Sequence, residues 1–180
     1  MPDADHMSVA FIAVGSNVEP HGNIAAALAM LLRSVSVRAS STFYRTKPIG
    51  GRDQPPFVNG VWRISTDLRP LEIKHAVLSP IEDQLGRVRG DDKYADRTID
   101  LDLVLYDDFV TDDPELTLPH PDVSRPFVHG PILELLDDAR AEIEPELLAS
   151  IRRLLPDREL TALPGEPLAD FTAELQRLLG

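Results

Sequence analysis

Residues 97–108, RTIDLDLVLYDD, read as a β-strand with a contradiction built in. Ile99, Leu101, Leu103, Val104 and Leu105 suit a buried sheet, yet Asp100 and Asp102 sit two positions apart inside the run. Side chains alternate faces along a strand, so both carboxylates point the same way, and Val104 and Tyr106 are expected to continue that face. Two like charges about 6–7 Å apart, at an effective dielectric of about 20, repel by roughly 2.5 kcal/mol before any desolvation. A fold can bury such a strand by protonating one carboxylate, by placing basic groups beside it, or by binding a cation. The plain alternative is a strand with one wet face.

The rest of the pattern supplies partners for that strand. SVAFIAVGSN reads as a strand ending in a Gly-Ser-Asn turn, and residues 23–32, rich in Ala, Leu and Met, as a helix. SVRASSTFYRT alternates as a second strand, KPIGGRDQPP is a loop, and FVNGVWRIST is a third strand with Phe57, Asn59, Val61 and Arg63 on one face. Leu71 to Leu85 reads as a helix with Pro80 inside it, which predicts a kink or break around Leu78 and Ser79. A hairpin, FVTDDPELTLPHP, follows the acidic strand, and a helix opens near Phe127. The order β-α-β-β-α-β describes an α+β sandwich, one antiparallel sheet with helices on one face. Residues 1–136 form that domain, and 137–180 read as a helical C-terminal extension packed on it, including the amphipathic LADFTAELQRLL.

Charge is segregated around the two aspartates. Arg87, Arg89, Lys93 and Arg97 precede them, whereas from Thr98 to Ser124 there is no Lys or Arg while Asp and Glu crowd in; His120 lies near the end of that stretch and Arg125 follows it. Hard oxygen ligands suit Mg²⁺ together with substrate phosphates, and guanidiniums hold the remaining phosphate oxygens. Taken singly, the bases also fit a solvated loop and His120 a turn. The net charge of −12 over 180 residues argues against a nucleic-acid or anionic-membrane surface. The chain has no cysteine, so disulfides and thiolate chemistry are excluded. Its polar start, MPDADHM, and short first apolar run predict no signal segment and a cytoplasmic location. Neither a Walker nor a Rossmann phosphate loop is present. The residues alone therefore describe either a Mg-nucleotide enzyme or a metal-binding module.

From Val9 to Leu136 the ordered segments GSN, FYRTKPIG, QPPFVN, EDQLGRVR, RTIDLDLVLY, LTLPHP and RPFVHGPILEL resemble the 6-hydroxymethyl-7,8-dihydropterin pyrophosphokinase family of folate biosynthesis. The resemblance implies a ferredoxin-like domain that moves the β- and γ-phosphates of ATP, as one unit, to the pterin hydroxymethyl oxygen and releases AMP. It implies four catalytic residues. Asp100 and Asp102 hold two Mg²⁺ ions, Arg97 contacts the phosphates, and Arg87 swings in with a closing lid. Glu82, Arg89, His120 and Arg125 match nucleotide-side positions. Phe57 and Phe127 match a pair that stacks on the pterin, Asn59 the residue that reads its edge, and Thr46 and Ile49 the loop that closes the pocket. ATP and the pterin are the implied small-molecule partners, and the chain is expected to be a monomer.

Several positions depart from the pattern. Asp96 precedes Arg97 and is placed to compete with phosphate for it. Gly90 replaces a base, Tyr94 a Trp, and His129 an apolar residue, while Pro80 interrupts a continuous helix. Asp96 and Gly90 motivate the alternative of a diverged, catalytically weak pterin- or nucleotide-binding relative, and a metal-dependent phosphohydrolase is the third reading.

Overall fold

The computed structural model describes residues 6–92, 94–160 and 162–180. The start of MPDADHM (residues 1–5) and Lys93, weighed above for localisation and for the basic loop, lie outside the described residues. The first strand, β1 (Ser8–Ser16), organises the sheet. Its apolar residues alternate between two cores, and it hydrogen-bonds antiparallel strands along both edges. On one side lies β4 (Phe57–Thr66), with Ser8 opposite Thr66 and Ser16 opposite Val58. On the other lies β5 (Asp100–Tyr106), the acidic strand. Between β1 and β4 the chain runs through α1 (Pro20–Leu31), which starts three residues earlier than expected because Pro20 suits a first helical turn. The result is the expected antiparallel α+β sandwich of ferredoxin-like topology.

The single strand expected over residues 36–46 is two. β2 (Ser36–Ser40) and β3 (Tyr44–Thr46) both pair with the same edge of β4, and the chain steps out of the sheet between them. Local alternation does not reveal this because the step is stabilised from elsewhere. Thr42 N–H donates to Glu134 at 3.1 Å and Phe43 N–H to Thr172 Oγ1 at 2.9 Å. Phe43 then lies over Gly60, where a Cβ would be 2.5 Å from its ring.

Helices cover both faces, not one. α1 and α6 (Ala169–Leu178) share a core with Ile12, Val14 and Trp62, whereas α4 (Pro126–Asp138) and α5 (Pro145–Leu154) pack with Phe11, Val61 and Val104. The sheet residues on both sides are apolar, so each face needs a cover. In the C-terminal stretch β8 (Glu166–Pro167) also pairs with β3, which period-2 reading of two residues does not expose. Phe171 is buried, stacks on His21 with centroids 4.2 Å apart, and meets Phe43 edge-on at 5.8 Å. Phe171→Ala is expected to destabilise the fold by about 3–5 kcal/mol in urea titration, since it removes a buried ring and leaves a cavity in the core.

Pro80 does not break its helix. α2 (Pro70–Glu72) runs through a π-helical segment, Ile73–Leu78, into α3 (Ser79–Gln84). The Ser79 N–H bonds the Lys74 carbonyl five residues back, so the backbone widens just before the proline and accommodates its ring. The hairpin forms as expected, β6 (Thr111–Asp113) with β7 (Leu116–Leu118). No helix among the described residues is long and apolar enough to cross a membrane.

Candidate active site

β5 does not keep strict alternation. Phe11 pairs with Leu105 and Ile12 with Leu103, so Val104 is an extra residue and the strand bulges. Asp100 and Asp102 therefore share a face with Val104, but Tyr106 is turned to the opposite core, where its hydroxyl donates to the Leu68 carbonyl at 2.8 Å. The expectation for Tyr106 fails because one inserted residue shifts the period.

The two carboxylates escape their repulsion by different routes. Asp100 is neutralised by guanidiniums: Arg87 Nη1 donates to its Oδ1 at 2.9 Å and Arg97 Nη1 to its Oδ2. Among the described residues Asp102 has no such clamp. Burial first, then the charges of Asp100 and Asp122, push its carboxyl up to about 7, against the partial opposition of Arg87 and Arg97. Asp102, His120 and Asp122 each offer a ligand atom, all within 4.8 Å of one another. His120 Nδ1 accepts the Asp122 backbone N–H at 3.0 Å, and burial lowers its pKa, so the ring stays neutral and turns Nε2 away from that bond. The oxygen donors of this group are carboxylates, which suit a hard divalent cation such as Mg²⁺.

Each member of the Asp100–Asp102 pair lines a cavity of its own. The first, about 210 Å³, is lined by Thr46, Ile49, Phe57, Asn59 and Phe127, and by Arg97, Asp100 and Arg125. The second, about 420 Å³, is lined by Glu82, Arg87, Arg89, Asp102 and His120. The fold thus brings all the sequence-derived positions to one region and sorts them by end. Asn59 shares its face with Phe57 as β4 requires, and its Nδ2 donates to Thr46 Oγ1 at 2.7 Å. Gly15 lies across the sheet from Asn59, and a Cβ there would come 2.7 Å from Asn59 Oδ1.

Glu82 is a buried hub. Its oxygens take Arg87 Nη1, Arg89 Nη2 at 2.9 Å and the Leu101 backbone N–H at 3.1 Å, tying the loop after α3 to the acidic strand. The Gly-Ser-Asn turn anchors the other end of that loop. Asn17 accepts from Arg97 N–H at 2.7 Å and donates to Asp96 at 2.9 Å. Asp96 also accepts from Gln54 at 2.9 Å, so its carboxylate serves amide partners while Arg97 reaches Asp100. Arg52 and Asp92 join the two loops by a bidentate pair at 2.8 and 2.6 Å.

Asp122, Gly15 and Gln54 were not singled out in the sequence. Asp122 had one local signal, its place two residues after His120 in PHPDV; the other two become legible only when β1, β4 and the loops are brought together. Arg125 does not turn to the aspartate pair but to Asp122, Nε to Oδ1 at 3.1 Å.

The 7,8-dihydro-6-hydroxymethylpterin-pyrophosphokinase (HPPK) family matches residues 11–137. The chain is similar to the 2-amino-4-hydroxy-6-hydroxymethyldihydropteridine pyrophosphokinase of Haemophilus influenzae, 40% identical over 136 residues, covering 73% of this chain and 84% of that one. The enzyme of the same name from Pseudomonas aeruginosa is 40% identical over 162 residues, 86% of this chain and 96% of that one. That of Bacillus subtilis is 34% identical over 139 residues, 75% and 82% of the two chains.

Proposed function

The chain belongs to the HPPK family, and from that premise we propose how its residues divide the work. It is an ATP-dependent pyrophosphokinase of folate biosynthesis, acting on ATP and 6-hydroxymethyl-7,8-dihydropterin. The pterin hydroxymethyl oxygen forms a bond to Pβ, the bond from Pβ to the bridging oxygen breaks, AMP leaves, and the hydroxyl proton passes to solvent. The observation that carries the residue assignment is an acidic pair whose two members each line one of two cavities.

Phe57 and Phe127 hold the flat pterin in the first cavity, with the Asn59 amide and Thr46 reading its edge and Ile49 closing over it. Glu82, Arg89 and His120 belong to the nucleotide end, and Arg97, Arg87 and Arg125 supply donors for phosphate oxygens between the two. Asp100 and Asp102 would hold two magnesium ions, and Asp122 offers a further carboxylate close to Asp102. Magnesium, when bound, neutralises the triphosphate and the charge that develops on the leaving AMP. Arg87, which pairs with Asp100, would turn to phosphate when ATP binds, leaving that carboxylate among the residues that would hold magnesium. The loops over residues 47–56 and 86–96 close over the ligands and exclude water. We place the enzyme in the cytoplasm as a monomer, with residues 137–180 serving the same domain as residues 1–136.

Incubation with ATP, Mg²⁺ and the hydroxymethyl dihydropterin is expected to yield AMP in step with the pterin diphosphate. ADP as product overturns the transfer of two phosphates as one unit, and pterin-independent release of phosphate points to a phosphohydrolase. Gly15→Ala tests the pterin end. The added Cβ forces the Asn59 amide out of line, and KM for the pterin is expected to rise by about tenfold or more with KM for ATP unchanged. An unaltered pterin KM removes Asn59 from the reading.

A further inference from the structure

Away from both reaction cavities, α4 and α5 enclose a third cavity of about 440 Å³ with an unusual lining. Leu133, Leu155 and Pro156 give it an apolar part, and against the single carboxylate of Asp157 stand three guanidiniums, Arg152, Arg153 and Arg158, in a chain whose net charge is −12. Among the described residues each of those arginines has one side-chain hydrogen bond that orients it. Arg152 Nη2 donates to Asp137 at 2.7 Å, Arg153 Nη2 to Ser150 Oγ at 2.9 Å, and Arg158 Nη2 to the Ser124 carbonyl. A guanidinium carries five N–H donors, so most of this donor capacity is not used by those bonds.

His129 also lines the cavity. It is 1% exposed, and its Nδ1 finds no hydrogen-bond partner among the described residues. Burial first, and the nearby Arg158 charge second, lower its pKa and keep the ring neutral. A buried imidazole nitrogen without a partner is costly, and an apolar side chain would fill the position without that cost. A dianion bound among the arginines offsets the guanidinium charge beside this ring and lets the imidazole take up a proton.

We propose that His129, Arg152, Arg153 and Arg158 form a second anion site, distinct from the reaction site, that takes a phosphate dianion, either inorganic phosphate or the phosphoryl group of a phosphomonoester. Arg158 also links it to the reaction region, because the Ser124 carbonyl it holds directly precedes Arg125.

The test follows the His129 imidazole by NMR in full-length protein saturated with Mg²⁺ and a non-hydrolysable ATP analogue, so that the reaction cavities are filled. Inorganic phosphate and AMP are titrated separately against chloride at matched ionic strength. A saturable movement of the His129 signal, with its titration midpoint moving to higher pH, is expected for at least one phosphate ligand, and the tighter of the two identifies the source. Arg153→Gln and Arg158→Gln, both at the surface, are expected to weaken that response by about tenfold each. A His129 signal that ignores both ligands, follows chloride equally, or responds unchanged in the two variants overturns the site.

Discussion

Asp102→Asn is expected to lower kcat for pyrophosphoryl transfer by about 10³-fold, while making the metal-free protein more stable at pH 8. The loss follows from removing one charged ligand of the site that neutralises the triphosphate, where single electrostatic groups contribute factors of that size. The gain in stability follows from linkage. An unfolded aspartate ionises near 3.8, whereas burial and the neighbouring Asp100 and Asp122 push folded Asp102 up to about 7. Between those values the folded chain holds more protons than the unfolded one, so stability from this group is complete below pH 4 and lost as pH rises through about 7. A shift of that size corresponds to as much as about 4 kcal/mol at pH 8. Asparagine abolishes the titration, so the variant is expected to match wild type near pH 4 and exceed it at pH 8. Magnesium is expected to stabilise wild type at pH 8 and to bind more weakly as Asp102 protonates below 7. Urea unfolding in a chelator, at several pH values, checks the stability, and steady-state AMP formation checks the turnover. Parallel pH–stability profiles for the two proteins, or full turnover by the variant, would remove Asp102 from the centre of the site.

Glu82→Ala is expected to cost about 3 kcal/mol of stability and to open the loop over residues 86–96 to proteolysis. Glu82 is 4% exposed at its side chain and Arg87 14%, so this is a buried pairing, and removing one partner leaves a desolvated charge behind. It also strips the Leu101 N–H of its acceptor in the middle of the acidic strand. Glu82→Gln keeps an oxygen for Leu101 and loses only the charge, so it is expected to fall between alanine and wild type. The Arg52–Asp92 pair is the internal contrast. Its geometry is better, yet both side chains are in water, where screening and side-chain entropy cancel most of the attraction, and Arg52→Ala is expected to leave stability unchanged. Limited proteolysis and urea titration of the three variants separate the cases. A Glu82→Ala protein as stable and as resistant as wild type would show that the hub is decorative.

Legibility in the sequence followed the range of the interaction. β4 appeared over residues 57–66 with Phe57 and Asn59 on one face, because period-2 alternation and the flanking Pro and Gly are local signals. The D-x-D face was likewise local for the two aspartates, and failed at Tyr106, where a bulge set by pairing with β1 shifted the period. The step between β2 and β3 was hidden because the groups that receive its backbone bonds, Glu134 and Thr172, lie about ninety and one hundred and thirty residues away in sequence. Pro80 showed correctly that an ordinary helix could not continue, but a propensity argument does not choose between a break and a wider turn.

The amino-acid order by itself determined the alternating strands, the acid–base segregation and the family, because periodicity, charge runs and ordered motifs are properties of neighbours along the chain. Only the tertiary structure decided that Asp100 is held by arginines while Asp102 is left to burial, that Asp122 joins them, and that Gly15 must be bare beneath Asn59. Those outcomes depend on distances and dielectric surroundings between residues far apart in the chain, and such quantities exist only once the sheet has brought them together.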